Sequence, residues 1–245
     1  MARTLQNTLK NTVVVEILTL GSTIWTVPDG VTELLEVLVG GGGGGGGGAG
    51  RFVGAANRGG GGGGGSVPIK YGPIKVTPGE TFTIFIGSAG VGGANGTADN
   101  TNGLTGTVGG TTTVTRDSGS PAYRFTSVGG NPGIDGHNAT PGGDGAFTLN
   151  SSLTGGGDTA SVNGATAGEN SPWALGGSAG AIISGVIGNG CGGGAGFGKG
   201  GIGGANIGVP PGAGELSAGG GGGWGIQSTA GAGANGGQGF VRIAY

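Results

Sequence analysis

The chain has 245 residues, 73 of them glycine, with charged residues at only 9% and a formal net charge of −2. Collagen is excluded because long glycine runs replace a strict every-third repeat and only 10 prolines are present; a charge-rich disordered coil is excluded by the low charge and plentiful Val, Ile and Thr. Ten Lys and Arg spread over the whole length make no basic stripe for nucleic acid, and a lone cysteine, Cys191, excludes both an intrachain disulfide and a cysteine zinc cluster.

Residues 2–11 read as a short helical or extended arm, with Leu5 and Leu9 four apart. Val13, Val14, Val15, Ile17 and Leu18 after Arg3 and Lys10 have the outline of a secretory leader, but Glu16 interrupts them and no small-residue cleavage site follows. The expectation is a protein without a signal peptide, made in the cytoplasm of its host. No apolar run reaches the roughly 18 residues of a membrane-spanning helix.

Strands are expected at 12–20 and 23–27, broken at Gly21-Ser22, followed by a turn at Pro28-Asp29-Gly30. In the next strand, 31–39, alternation places Val31, Leu35, Val37 and Val39 on one face, together with Glu33. Residues 67–76 are strand-like, with Pro68 and Pro73 pushing them toward an edge or a bend. Thr77-Pro78-Gly79-Glu80 has type II turn character, and in 81–86 Phe82, Ile84 and Ile86 alternate with polar positions as in a half-buried strand. A hairpin is expected from 111–115 and 122–128, and the strand at 240–245 is expected to tuck back into the first sheet.

Between these strands lie Gly40 to Gly48 and Gly59 to Gly65, flanking one insert with Arg51, Phe52, Asn57 and Arg58. Such a run is either a flexible linker or an ordered lattice that only glycine fits. Strands on both borders, and no Ser, Glu or Lys spacers inside the runs, favour a lattice. Extended threefold glycine helices make no internal hydrogen bonds, so side by side they can pair backbone to backbone. The fold class that follows is all-β: a small antiparallel β-sandwich combined with a glycine-rich domain of packed polyglycine II helices and loops. The expected organisation is an N-terminal arm and first strand over 1–23, suited to docking on a larger particle. A sandwich of 24–86 plus 240–245 follows, with the glycine tract 40–65 extruded from it, and then a glycine-rich region with insert loops over 87–239.

No catalytic, cofactor or metal site emerges. G-x-G-x-x-G patterns arise by chance at this glycine density, and the phosphate-loop spacing from Gly193 to Lys199 has Gly200 where Ser or Thr is needed. The single histidine, His137, has Asp135 and Asp144 nearby in sequence but no nucleophile elbow, and Asp135, Asn138 and Asp144 fit no established calcium loop. A non-enzyme without cofactors is expected. Trp25 and Trp224 read as core plugs. The candidates for contact with a sugar or protein ligand are Arg51, Phe52, Arg58, Tyr123, Arg124, His137, Phe147 and Trp173.

An ordered set of motifs adds a resemblance. Trp25-Thr-Val-Pro-Asp-Gly-Val-Thr-Glu-Leu is followed by Val37-Leu-Val-Gly and the glycine tract, then by Val76-Thr-Pro-Gly-Glu-Thr, Thr83-Ile-Phe-Ile-Gly and Gly236-Gly-Gln-Gly-Phe-Val-Arg-Ile. The set resembles the glycine-rich bacteriophage tail proteins, including the tail-fibre and tail-tip adhesins with polyglycine II tracts. The resemblance implies a virion component at a tail fibre or tail tip that binds a bacterial surface glycan or outer-membrane protein through its loops. Its partners would be other virion tail or fibre proteins, with a homotrimer or a single capping copy both compatible. A non-receptor virion protein, in a head fibre or as a decoration protein, is the alternative. An ice-binding protein would need flat repeated faces of Thr or Ala, against which the irregular inserts argue. A depolymerase would need a carboxylate pair that does not stand out.

Overall fold

The computed structural model describes residues 2–7, 12–51, 59–118, 121–136, 152–153, 167–178, 190–205, 209–226 and 229–245. Its strands in chain order are β1 (Ala2–Asn7), β2 (Thr12–Ile17), β3 (Gly21–Thr26), β4 (Glu33–Leu34), β5 (Glu36–Gly40), β6 (Gly65–Ser66), β7 (Ile69–Tyr71) and β8 (Ile74–Lys75). They continue with β9 (Thr81–Ile86), β10 (Thr112–Arg116), β11 (Arg124–Ser127), β12 (Ser152–Leu153), β13 (Gly225–Ile226), β14 (Thr229–Ala230) and β15 (Phe240–Ala244). Among the described residues every strand-to-strand pairing is antiparallel, and the fold is all-β.

Two sheets face each other, one in the order β1-β2-β15-β5-β7 and one in the order β11-β10-β9-β3. Val15, Ile17, Val37, Val39, Val241 and Ile243 from the first meet Phe82, Ile84, Ile86, Val114 and Phe125 from the second in one buried cluster. Fully burying each such side chain contributes about 1.5–3 kcal/mol. The last strand lies between β2 and β5, pairing Val241 with both Ile17 and Val39. The arm at 2–7 is extended and pairs in full register with β2.

Two strand expectations are corrected. The break falls at residues 18–20 rather than at Gly21-Ser22, because Gly21, at φ +85°, already pairs with Ile86 as the first residue of β3. Residues 31–39 form two strands in different sheets, broken at Leu35, so that Leu34 is buried and Leu35 exposed. The break shifts the side-chain phase by one, which is why Val31 to Val39 do not share one face. Glu33 then meets Lys75 at 3.0 Å and Glu36 meets Lys70 at 2.5 Å. The bend expected near Pro73 falls between β7 and β8, at a cis Gly72-Pro73 bond. The turn before β9 has Gly79 at φ +84° and a bond from the Glu80 amide to the Thr77 carbonyl. The hairpin of β10 and β11, from within the 87–239 stretch, joins the second sheet beside β9.

Beyond β5 the backbone leaves the sheet and pairs in three directions. The amides of Gly42, Gly45 and Gly48 donate to the carbonyls of Gly110, Thr107 and Leu104; those of Gly43, Gly46 and Ala49 donate to Gly237, Ala234 and Gly231; those of Gly44 and Gly47 donate to Gly64 and Gly61. The carbonyls of 42, 45 and 48 accept from Gly130, Gly133 and Gly136, those of 43, 46 and 49 from Gly90, Gly93 and Gly96, and those of 44 and 47 from Gly220 and Gly223. All these bonds measure 2.8–3.0 Å. Partners recur every three residues, the repeat of an extended threefold helix with about 3.1 Å rise per residue. Residues 42–49 are thus enclosed by six runs, three antiparallel and three parallel, which also bond to one another around the ring.

This enclosure explains the uninterrupted glycine. A Cβ on any residue from Gly42 to Gly48 would stand 1.9–2.1 Å from a carbonyl oxygen of an adjacent run. In the outer runs 87–96 and 103–110 the glycines recur at every third position, at Gly87, Gly90, Gly93 and Gly96 and at Gly103, Gly106 and Gly109, whereas 218–223 is itself hemmed in by further backbone and keeps glycine throughout 219–223. In the first two runs the positions between carry side chains to the surface, among them Val91, Leu104 and Val108, all more than half exposed. Some outward amides are closed off by neighbouring side chains: Val91 donates to the Thr107 hydroxyl at 2.7 Å and Gly92 to the Asn235 side-chain oxygen at 2.9 Å.

Candidate functional site

Run direction decides which loops share an end. Residues 42–49 lead away from the sandwich and 61–64 return toward it; 87–96, 130–136 and 218–223 lead away, while 103–110 and 231–237 return. The loop 97–102 and the antiparallel pair of β13 with β14 therefore lie at the far end. Residues 201–204 lie beside 219–222, so the antiparallel bridge of Ala205 with Val209 falls there too.

Arg51 sits at this far end, immediately after the enclosed run. Its amide donates to the Thr101 carbonyl at 2.8 Å and its carbonyl accepts from the Thr101 amide at 3.1 Å. The guanidinium Nη1 donates to the Thr97 carbonyl at 3.2 Å, and Nε forms an ion pair with Asp99 Oδ1 at 2.9 Å. Thr101 returns its hydroxyl to the Ala98 carbonyl and accepts from the Ala98 amide. Asn100 occupies the left-handed region at φ +62°, a conformation asparagine tolerates better than most residues. The loop 97–102 is thus fixed from both sides, while Thr97, Asp99, Asn100 and Asn102 are exposed.

The other candidates lie elsewhere. Tyr123 and Arg124 belong to the β10–β11 hairpin of the sandwich. Tyr123 is half-buried, stacked on Phe125 at 5.7 Å, with the Arg116 guanidinium 5.6 Å from its ring; Arg124 is exposed at the start of β11. Trp173 is 44% exposed, in a turn whose Ser171 hydroxyl donates to the Gly196 carbonyl at 2.5 Å. That places it at the sandwich end, since neighbouring Phe197 packs on Phe240 at 4.6 Å and under Arg242 at 4.8 Å. Phe52, Arg58, His137 and Phe147 lie outside the described residues. Arg51 is therefore separated from Tyr123, Arg124 and Trp173. The residues that the sequence reading did not single out are Thr97, Asp99, Asn100 and Asn102; the only signal was a dense Asn, Asp and Thr stretch between two glycine repeats.

Trp224 is half-buried, with Gly204 and Gly231 against its ring. Among the described residues no group of three or more His, Cys, Asp or Glu is placed to hold a metal ion.

A glycine-rich domain family matches residues 18–245. The chain belongs to that family. The match takes in both sheets apart from β1 and β2, together with the whole bundle of glycine runs, so the domain and its loop-bearing end are one family unit. A search of curated proteins finds no match to the chain.

Proposed function

We propose that this glycine-rich domain protein is a bacteriophage virion component at a tail fibre or tail tip, a non-enzymatic adhesin that binds the bacterial host surface. The observation that carries the proposal is the polarity of the molecule. A bundle of hydrogen-bonded glycine runs, read as packed polyglycine II helices, stands on a β-sandwich and has the loop 97–102, the Ala205–Val209 bridge and the β13–β14 pair together at the opposite end. A rigid scaffold with its loops at one pole suits weak contacts made multivalent by copies on several fibres. The sandwich end, with β1 and β2 beyond the family match, is the end we assign to docking on other tail or fibre proteins, as one copy or as a homotrimer.

Adsorption of particles carrying loop-swapped protein tests this. Altered host range after exchange of the far-end loops is the expected result; unchanged adsorption after all have been exchanged refutes it.

One observation favours a second reading, a non-receptor structural protein in a head fibre or decoration. Val91, Leu104 and Val108 are exposed along the flank of the bundle, where they would suit lateral packing. Labelled antibody bound to whole virions distinguishes the readings by landing on the tail or the head.

A further inference from the structure

We infer that the loop 97–102, clamped by Arg51, is a binding site for a neutral, hydroxyl-rich glycan. The inference rests on the host-attachment reading and names the ligand class for one of its loops. Three observations point to that chemistry.

The first is the kind of surface. Thr97, Asp99, Asn100 and Asn102 expose hydroxyl, carboxylate and amide groups within one short loop. Between them they offer both donors and acceptors, as sugar hydroxyls require. Protein partners are usually held by aromatic and arginine anchors, and this loop has none of its own. The exposed aliphatic side chains Val91, Leu104 and Val108 belong to the flanking runs instead.

The second is charge. Among the described residues, the one cation at the loop is Arg51, and it is paired with Asp99 at 2.9 Å. The pair leaves no net charge to select an acidic polysaccharide, so the neutral one is favoured.

The third is order. Both backbone groups of Arg51 are bonded to Thr101, the guanidinium holds the Thr97 carbonyl, and the Thr101 hydroxyl closes on Ala98. A ligand meeting this loop has little conformational freedom to remove, which matters most for shallow contacts with few bonds.

The test uses the purified full chain against envelope fractions from a panel of bacteria, each fraction divided into untreated, periodate-oxidised and proteinase-digested portions. Binding that survives proteinase and is abolished by periodate, and that weakens about tenfold or more in Asn100→Gly with Asn102→Ala, is the expected result. Asn100→Gly keeps the positive φ while deleting the amide, and unchanged melting of the double variant separates lost contacts from lost folding. Binding abolished by proteinase but not by periodate overturns the glycan inference and leaves host attachment standing, as does binding only to acidic polysaccharide. Glycan binding that the double variant retains moves the site away from this loop. Absence of binding to every fraction removes both the inference and the reading beneath it.

Discussion

The hydroxyls of Ser66 and Ser127 lie 3.1 Å apart, and both face the amide of Gly41, at 3.1 and 3.0 Å. Gly41 is where the backbone stops pairing as a strand and begins pairing as a glycine run, so its amide has neither ladder. Two fully buried serines take its place, and Ser66 also donates to the Val128 carbonyl at 2.7 Å. Thr112 repeats the device, accepting from the Gly87 amide at 3.0 Å. Small polar side chains thus join two architectures whose hydrogen-bond geometries do not match. Replacing Ser127 alone with Ala leaves Gly41 its bond to Ser66. The double change Ser66→Ala with Ser127→Ala strands a buried donor, at about 1–3 kcal/mol beyond the sum of the single effects, measurable by denaturant unfolding.

The enclosed run gives a sharper prediction. Gly45→Ala places a methyl group 2.1 Å from the Val91 carbonyl oxygen, with backbone rather than a side chain in the way. Destabilisation of about 3 kcal/mol or more is expected, whereas Val91→Ala, at an exposed position, should stay within about 0.5 kcal/mol. Thermal unfolding of the two variants side by side checks the contrast.

Amide exchange should report the same enclosure. The amides of residues 42–49 are expected to exchange as slowly as those of β9, through opening of the whole domain rather than of a loop. Exchange at free-chain rates in peptides covering them would contradict their pairing.

In the sandwich, Phe82 is 1% exposed and touches Trp25, with ring centroids 5.9 Å apart. Phe82→Ala is expected to cost about 3–5 kcal/mol, read from the shift in denaturant midpoint.

Glu80 supplies a pH prediction. Burial works to raise its pKa, but the hydrogen bond and charge of Arg116, with a bond from Thr77, hold it below its ordinary value. Arg116 is itself buried and also donates to the Ser118 and Pro121 carbonyls at 3.1 and 3.3 Å. A carboxylate whose pKa is lowered by folding stabilises the protein above its unfolded pKa and loses that contribution as pH falls through the folded one. Stability should therefore fall on acidification below the ordinary carboxylate range, and Glu80→Gln should flatten that part of the profile while lowering stability at neutral pH.

The strands were legible because Phe82, Ile84 and Ile86 obey a strict period of two and the turn residues around them are unambiguous. The break at Leu35 was not, since Leu34 and Leu35 are identical in kind and only the pairing of β4 with β8 decides which one is buried. The glycine runs were legible as an alternative between linker and lattice. Their arrangement was hidden because the every-third repeat is local: Gly87, Gly90, Gly93 and Gly96 keep it, and so do Gly130, Gly133 and Gly136, but over the whole chain it dissolves into the uninterrupted runs. Of the site, Arg51 could be picked out as a charge amid glycine. Its partner loop could not, because Thr97 to Asn102 resembles any polar turn until the runs on either side are set antiparallel. Tyr123 was singled out as an aromatic near a turn, and its half-buried stacking on Phe125 follows from the pairing of β10 with β11, which the residue type alone does not disclose.

The enclosure of residues 42–49 also fixes an order of events during synthesis. This run emerges early, yet three of its six neighbours, at 130–136, 218–223 and 231–237, are translated long afterwards. Until they arrive, the innermost backbone of the molecule is the part left open to solvent. The native pairings join distant parts of the chain, and such topologies fold slowly. A long glycine run without charge, waiting beside half a sheet, is where protection by a chaperone would have the most to protect.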